Sequence, residues 1–136
     1  MDPDQMMAAG RALLEPVLAP HGFRFESLEV GRSGGGAYTI AHFARGPRSL
    51  ELHVRQALTE VVYRVGATAL PHDQYMQRVV PAGEQPQYRG RVDDPLLAFR
   101  ELRADLLAHG SEFMTGDDAA LRESMAQAPA RAGSTA

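Results

Sequence analysis

Over residues 49–65, SLELHVRQALTEVVYRV, apolar and polar positions alternate. Leu50, Leu52 and Val54 interleave with Glu51, His53 and Arg55, and Val61, Tyr63 and Val65 interleave with Val62 and Arg64. A period of two marks a strand with one buried face. It predicts strands over 49–57 and 60–68, and two more over 23–32 and 37–45. In the first of these, Leu28 and Val30 fall on one side and Ser27 and Glu29 on the other. Short runs punctuated by SGGG (33–36), a flexible connection, and RGPR (45–48), a tight turn, predict a four-stranded antiparallel meander.

Helical spacing brackets these strands. Asp2-Pro3 supplies a cap and a first-turn proline, followed by Met6, Ala9, Leu13 and Val17 at helical intervals. Pro16 predicts a kink or an end near Leu14, with Gly22 as terminator. Pro71 opens a short helix, PHDQYMQRVV, in which Tyr75 and Met76 are expected to pack on the sheet edge. Residues 81–94 read as a Gly/Pro-rich loop ordered in part by Tyr88. Asp94-Pro95 begins a helix with a Leu96, Phe99, Leu102, Leu106 stripe ending at Gly110, and 117–127 predicts one more. The small, polar APARAGSTA predicts a disordered tail over 129–136, leaving one domain over 1–128. The fold class is α+β: an N-terminal helix, the meander, then two to three C-terminal helices packed on one sheet face.

The turns set a register. A two-residue Gly46-Pro47 turn pairs Phe43 with Leu50, Ala41 with Leu52 and Thr39 with Val54. The opposite face then pairs His42 with Glu51, Ile40 with His53 and Tyr38 with Arg55. A Leu58-Thr59 turn would place Val54 opposite Tyr63, Leu52 opposite Val65 and His53 opposite Arg64. Both turns put the large apolar residues on one side, except Ile40 and Val62. A one-residue slip would bury the charges, whereas an even shift would keep the faces. The polar face carries Glu29, Tyr38, His42, Glu51, His53, Arg55 and Arg64.

Composition narrows what this face can do. Cys is absent, which excludes disulfides, thiolate metal sites and Cys nucleophiles. Lys and Asn are absent and Ile occurs once, a pattern of GC-rich coding, so Arg in place of Lys carries no functional meaning. Net charge is −3 and the arginines are scattered, a poor footprint for nucleic acid. No apolar run approaches a membrane span, and the acidic MDPDQMM start argues against a signal peptide, which makes the cytoplasm the expected location.

The sharpest local grouping is His42, Glu51 and His53, with His42 and Glu51 about 5 Å apart at Cβ when directly opposite. Two imidazoles and a carboxylate can form a facial metal site. With Arg55 or Arg64 holding an anion, the same residues could do acid–base work, but no nucleophile is tied to them. GRSGGG (31–36) lacks the Lys of a phosphate loop and leads into a strand. DDP (93–95) and GDD (116–118) lack a calcium ladder and read as helix caps.

Two classes of function fit. The first, and the expected one, is a small cytosolic non-enzymatic protein-binding module, as immunity proteins and secretion chaperones are, using Tyr38, His42, Glu51, His53, Arg55 and Arg64. Its partner is a protein, it needs no cofactor, and a homodimer is left open. The alternative is a small enzyme or a ligand- or metal-binding protein using His42, Glu51, His53 and Arg55 as a site. An open face favours the first, and a face roofed by the 81–94 loop over converging side chains favours the second.

Overall fold

The computed structural model describes residues 1–90 and 94–127. The predicted tail over 129–136, and Asp93 of the DDP run, lie outside the described residues. The elements run α1 (Pro3–Leu18), a 3-10 turn (Ala19–His21), β1 (Arg24–Ser33), β2 (Gly36–Arg45), β3 (Arg48–Val54), β4 (Leu58–Val65), β5 (Thr68–Pro71), α2 (His72–Val79), α3 (Pro95–His109), α4 (Ser111–Thr115) and α5 (Asp118–Ala126). The sheet is an antiparallel meander in the order β1-β2-β3-β4-β5, with the helices on one face. Among the described residues no helix is long and apolar enough to cross a membrane.

The α+β architecture is as the alternation predicts, with one strand and one short helix more. The fourth strand was expected to run on to Thr68, with Pro71 opening the next helix. Gly66, at φ +60°, instead turns the chain back, and Thr68–Pro71 pairs with Val62–Val65. The single-turn α4 fills the gap between α3 and α5.

β2 and β3 pair in the predicted register, from Thr39 opposite Val54 to Arg45 opposite Arg48. β3 and β4 do not. Leu52 faces Val61 rather than Val65, and His53 faces Glu60 rather than Arg64. The chain reverses earlier, at Arg55–Ala57, where the Arg55 amide donates to the Ala57 carbonyl at 3.0 Å, and a bulge follows between His53 and Val54. The slip is four residues. Being even, it leaves each side chain on its expected face. Leu52, Val54, Tyr63 and Val65 are accordingly all buried on the helix side.

In β1 a second bulge breaks the alternation. Ser27 faces Ala41 and Glu29 faces Ile40, with Leu28 as the extra residue. Ser27 and Val30 therefore share the helix side, and Leu28 and Val30 remain 48% and 61% exposed.

α1 begins in a capping box: the Asp2 carboxylate accepts from the Gln5 amide at 2.8 Å, and the Gln5 side-chain oxygen accepts from the Asp2 amide at 3.0 Å. The helix passes through Pro16 to Leu18, contrary to the expected break near Leu14. Only the bond to the Ala12 carbonyl is lost, Ala12 and Pro16 are exposed to water, and Leu14 and Leu18, both fully buried, hold the last turn down. The buried stripe is Met6, Met7, Gly10, Leu14 and Leu18, rotated by about one residue from the expected one. Gly10 explains the rotation. A Cβ there would lie 2.3 Å from the Phe99 ring, so α1 and α3 meet at this glycine.

Two arginines at one end of the sheet share the inward parity of Phe43 and Leu50. The Arg45 guanidinium donates to the His21 carbonyl at 2.6 Å and the Met114 carbonyl at 3.0 Å, and stacks over Phe23. Arg48, only 2% exposed, donates to Asp118 at 2.6 Å, to the Phe113 carbonyl at 2.8 Å and to the Gly116 carbonyl. Carbonyls left free around the short α4 are satisfied by these cations.

Candidate functional site

The outward face of the sheet is read in rows across the strands. One row runs Glu26, His42, Glu51, Val62 and Pro71. Another runs Glu29, Ile40, His53 and Glu60. A third runs Arg24, Ala44, Ser49, Arg64 and Ala69. All six predicted residues, Tyr38, His42, Glu51, His53, Arg55 and Arg64, are half-buried on or beside this face. Ile40 is half-buried and Val62 buried among them, with His53 and Glu51 on the strand between.

The side chains sort into separate groups. His42 Nε2 lies 2.7 Å from Glu26, not with Glu51. Glu51 instead meets His53 Nε2 at 2.6 Å and accepts from Arg64 at 3.3 Å. Burial raises the Glu51 pKa, but the hydrogen bond from His53 and the charge and hydrogen bond of Arg64 outweigh it, so the carboxyl ends below its ordinary value. His53 Nδ1 is 3.9 Å from Glu60. Tyr38 donates to Glu29; that bond, then burial and the Glu29 charge, raise the phenol pKa against the opposing Arg55 cation.

Arg55 sits at the end of the face. Its guanidinium lies 5.1 Å from the Tyr38 ring centroid and donates to the Gly36 carbonyl at 2.9 Å. It thereby holds the Ser33–Gly36 hairpin, whose turn is the two residues Gly34-Gly35 rather than a loose connection. The Tyr38 ring folds over Gly31, where a Cβ would come within 2.6 Å of its hydroxyl. A hollow of ≈ 450 Å³ opens among Glu29, Tyr38, Ile40, His53, Arg55 and Glu60.

His42, Glu51 and His53 thus do not converge: His42 turns to β1, and Glu51 serves His53. Among the described residues no group of three or more His, Asp or Glu is arranged to hold a metal ion. Sequence reasoning missed Glu26 and Glu60, whose places depend on the two bulges.

The loop that could have roofed this face is tied to the other side. Asp105 on α3 accepts from the Gln87 amide at 2.7 Å and the Tyr88 amide at 2.9 Å. The Tyr88 hydroxyl donates to the Leu58 carbonyl at 2.8 Å, and its ring packs edge-on against His72. Tyr88 does order the loop, and burial pushes its pKa up to about 12.

His72 joins that network. Its Nδ1 lies 2.8 Å from the Tyr63 hydroxyl and its Nε2 2.9 Å from Asp105. Burial raises the Tyr63 pKa well above its ordinary value, so a neutral phenol meets Nδ1, and the Nε2–H donates to the Asp105 carboxylate. Burial raises the Asp105 pKa, but the His72 bond and the two loop amides more than reverse this. Tyr63, His72 and Asp105 are 0%, 4% and 1% exposed, and this line of hydrogen bonds fastens sheet, α2, α3 and loop together. As expected, Tyr75 and Met76 are also buried. Asp94 and Asp117 cap α3 and α5, as read from the DDP and GDD runs, whereas Asp118 accepts from Arg48.

Compared with protein-family models, with curated proteins and with solved structures, the chain matches none.

Proposed function

We propose that the chain is a non-enzymatic, cytoplasmic protein-binding module whose partner docks on the outward face of the sheet. The observation that carries the reading is that Gln87 and Tyr88 are bonded to Asp105 and Leu58, and no residue of 81–90 lines the hollow beside Tyr38 and His53. A face that sets Tyr38, Arg55 and Arg64 beside the half-buried Ile40 carries residue types preferred as interface anchors, aromatic and Arg next to an apolar side chain. Its polar side chains are already bonded to one another, so a partner meets a preorganised surface at small entropic cost. A toxin-neutralising immunity protein and a secretion chaperone are two concrete forms of such a module.

The test is site-specific photocrosslinking in the native host, with the reactive residue at position 40 or, as control, at Leu107 on α3. The expected result is one protein adduct from position 40 and none from 107. Binding of that protein should then fall by about 2 kcal/mol in Ile40→Glu or Arg64→Ala, as for an interface anchor, with Tm nearly unchanged. Equal adducts from both positions, or unchanged affinity in both variants, would sink the proposal. Arg55→Ala is a poor probe because Arg55 also holds the hairpin.

A further inference from the structure

We infer that two copies of this chain pair through the outer edge of β1, joining their sheets into one. β1 is an edge strand of ten residues, exposed along its length except at Phe25 and Gly31. Two of the large exposed hydrophobics, Leu28 and Val30, lie on it. Val30 stands opposite Thr39, on the helix side. The helix layer stops at that neighbour: the Thr39 hydroxyl donates to Asp4 at the start of α1, at 2.7 Å, and Val30 beyond it is bare. An unpaired ladder edge carrying exposed apolar side chains is a template for another strand.

The bulge at Leu28 delimits the usable edge. Bulges bend a strand and interrupt regular pairing, so Arg24–Ser27 is turned aside, Leu28 sits at the bend, and Glu29–Ser33 is the straight segment. The sequence from the bend onward, LEVGRS, favours a second copy as the occupant. Two copies related by a two-fold axis normal to the sheet run antiparallel with like faces aligned. Opposed residues then share a face, so the axis passes through one residue and its twin.

Charge and burial choose that residue. An axis at Glu29 opposes two carboxylates, which is destabilising. An axis at Gly31 has no side chain to bury at its centre and leaves Leu28 uncovered. An axis at Val30 packs Val30 on its twin, Leu28 against the aliphatic stem of Arg32, and Glu29 opposite Gly31. This register covers both exposed apolar side chains and opposes no like charges. Of the polar face it touches Glu29 alone and uses none of His53, Glu51 or Arg64, so it does not rest on the reading of that face.

Sedimentation velocity on the full chain, from about 1 to 300 µM, tests the pairing. The mass should rise from one chain to two across that range. Val30→Arg sets two cations together on the axis, and Leu28→Lys removes the second apolar contact. Each should weaken the dimer at least about tenfold. The far-ultraviolet spectrum and melting curve should be unchanged, since both sites are exposed. Leu107→Arg and Arg64→Ala should leave the dimer intact. A single-chain mass at the top concentration, or a dimer weakened no more by Val30→Arg and Leu28→Lys than by Leu107→Arg, overturns the inference. A dimer that yields no adduct from position 40 would sink only the polar-face reading.

Discussion

Replacing Gly10 by Ala sets two known effects against each other. In an exposed helix the change stabilises by about 0.5–1 kcal/mol, because glycine loses more backbone freedom on folding. Here the new methyl would stand 2.3, 2.4 and 2.6 Å from three carbons of the Phe99 ring. Ordinary carbon contacts are about 3.5–4 Å, so the ring or the helix must move by more than an ångström. Phe99 is fully buried, so its ring cannot swing into solvent. Overpacking of this kind costs about 1–3 kcal/mol, and with a shortfall this large the upper half of that range applies. The net loss is about 1–2.5 kcal/mol, which for a domain of this size lowers Tm by roughly 4–9 °C. Chemical and thermal melts of the two proteins read it directly. Trimming the ring in a Gly10→Ala, Phe99→Leu double variant should make the pair less harmful than the sum of its singles. A Gly10→Ala protein as stable as its parent, or one whose cost simply adds to that of Phe99→Leu, would show that α1 and α3 do not meet there.

Leu52→Ala should cost about 2–5 kcal/mol in denaturant melts, from lost burial plus the cavity left behind; a loss below about 1 kcal/mol would remove Leu52 from the core. Glu51 and Asp105 both hold their protons more weakly folded than unfolded. Their contribution is therefore fully present above the unfolded carboxyl range near pH 4 and is lost as pH falls through the lower folded values. The urea midpoint should hold between about pH 7 and 5 and drop below about 4. Asp105→Asn should start lower and drop less on acidification, and an unchanged acid slope would exclude Asp105 as a contributor.

What the sequence disclosed depended on the range of each determinant. The pairing of β2 with β3 was legible because Gly46-Pro47 leaves little freedom to the turn between them. That of β3 with β4 was not, because Arg55–Ala57 carries no turn signature and the apparent turn at Leu58-Thr59 lies inside the strand. Parity protected the faces all the same: the six residues lie on or beside the expected face and Tyr38 meets Arg55, but the His42 ring turns to Glu26 and His53 faces Glu60 instead of Arg64. Glu26 reached His42 only through the bulge at Leu28, which the pattern does not announce. Arg48 could have been found, since it shares the inward parity of Leu50 and Leu52. His72 and Asp105 could not: they are 33 residues apart on two helices whose meeting is set by packing.

The buried Arg48 also imposes an order of events on a chain being made. Its carboxylate partner lies 70 residues downstream, and the carbonyls it binds, on Phe113 and Gly116, are nearly as distant. At usual synthesis rates of about 5–20 residues per second, the arginine is added to the chain roughly 4–14 s before the last of these groups exists. Until then, closing that end of the sheet would strand an unpaired cation away from water, at a cost of several kcal/mol. The meander is thus held from final closure until α5 has been made, and a message truncated ahead of Gly116 encodes a chain whose own arginine keeps it open to proteolysis.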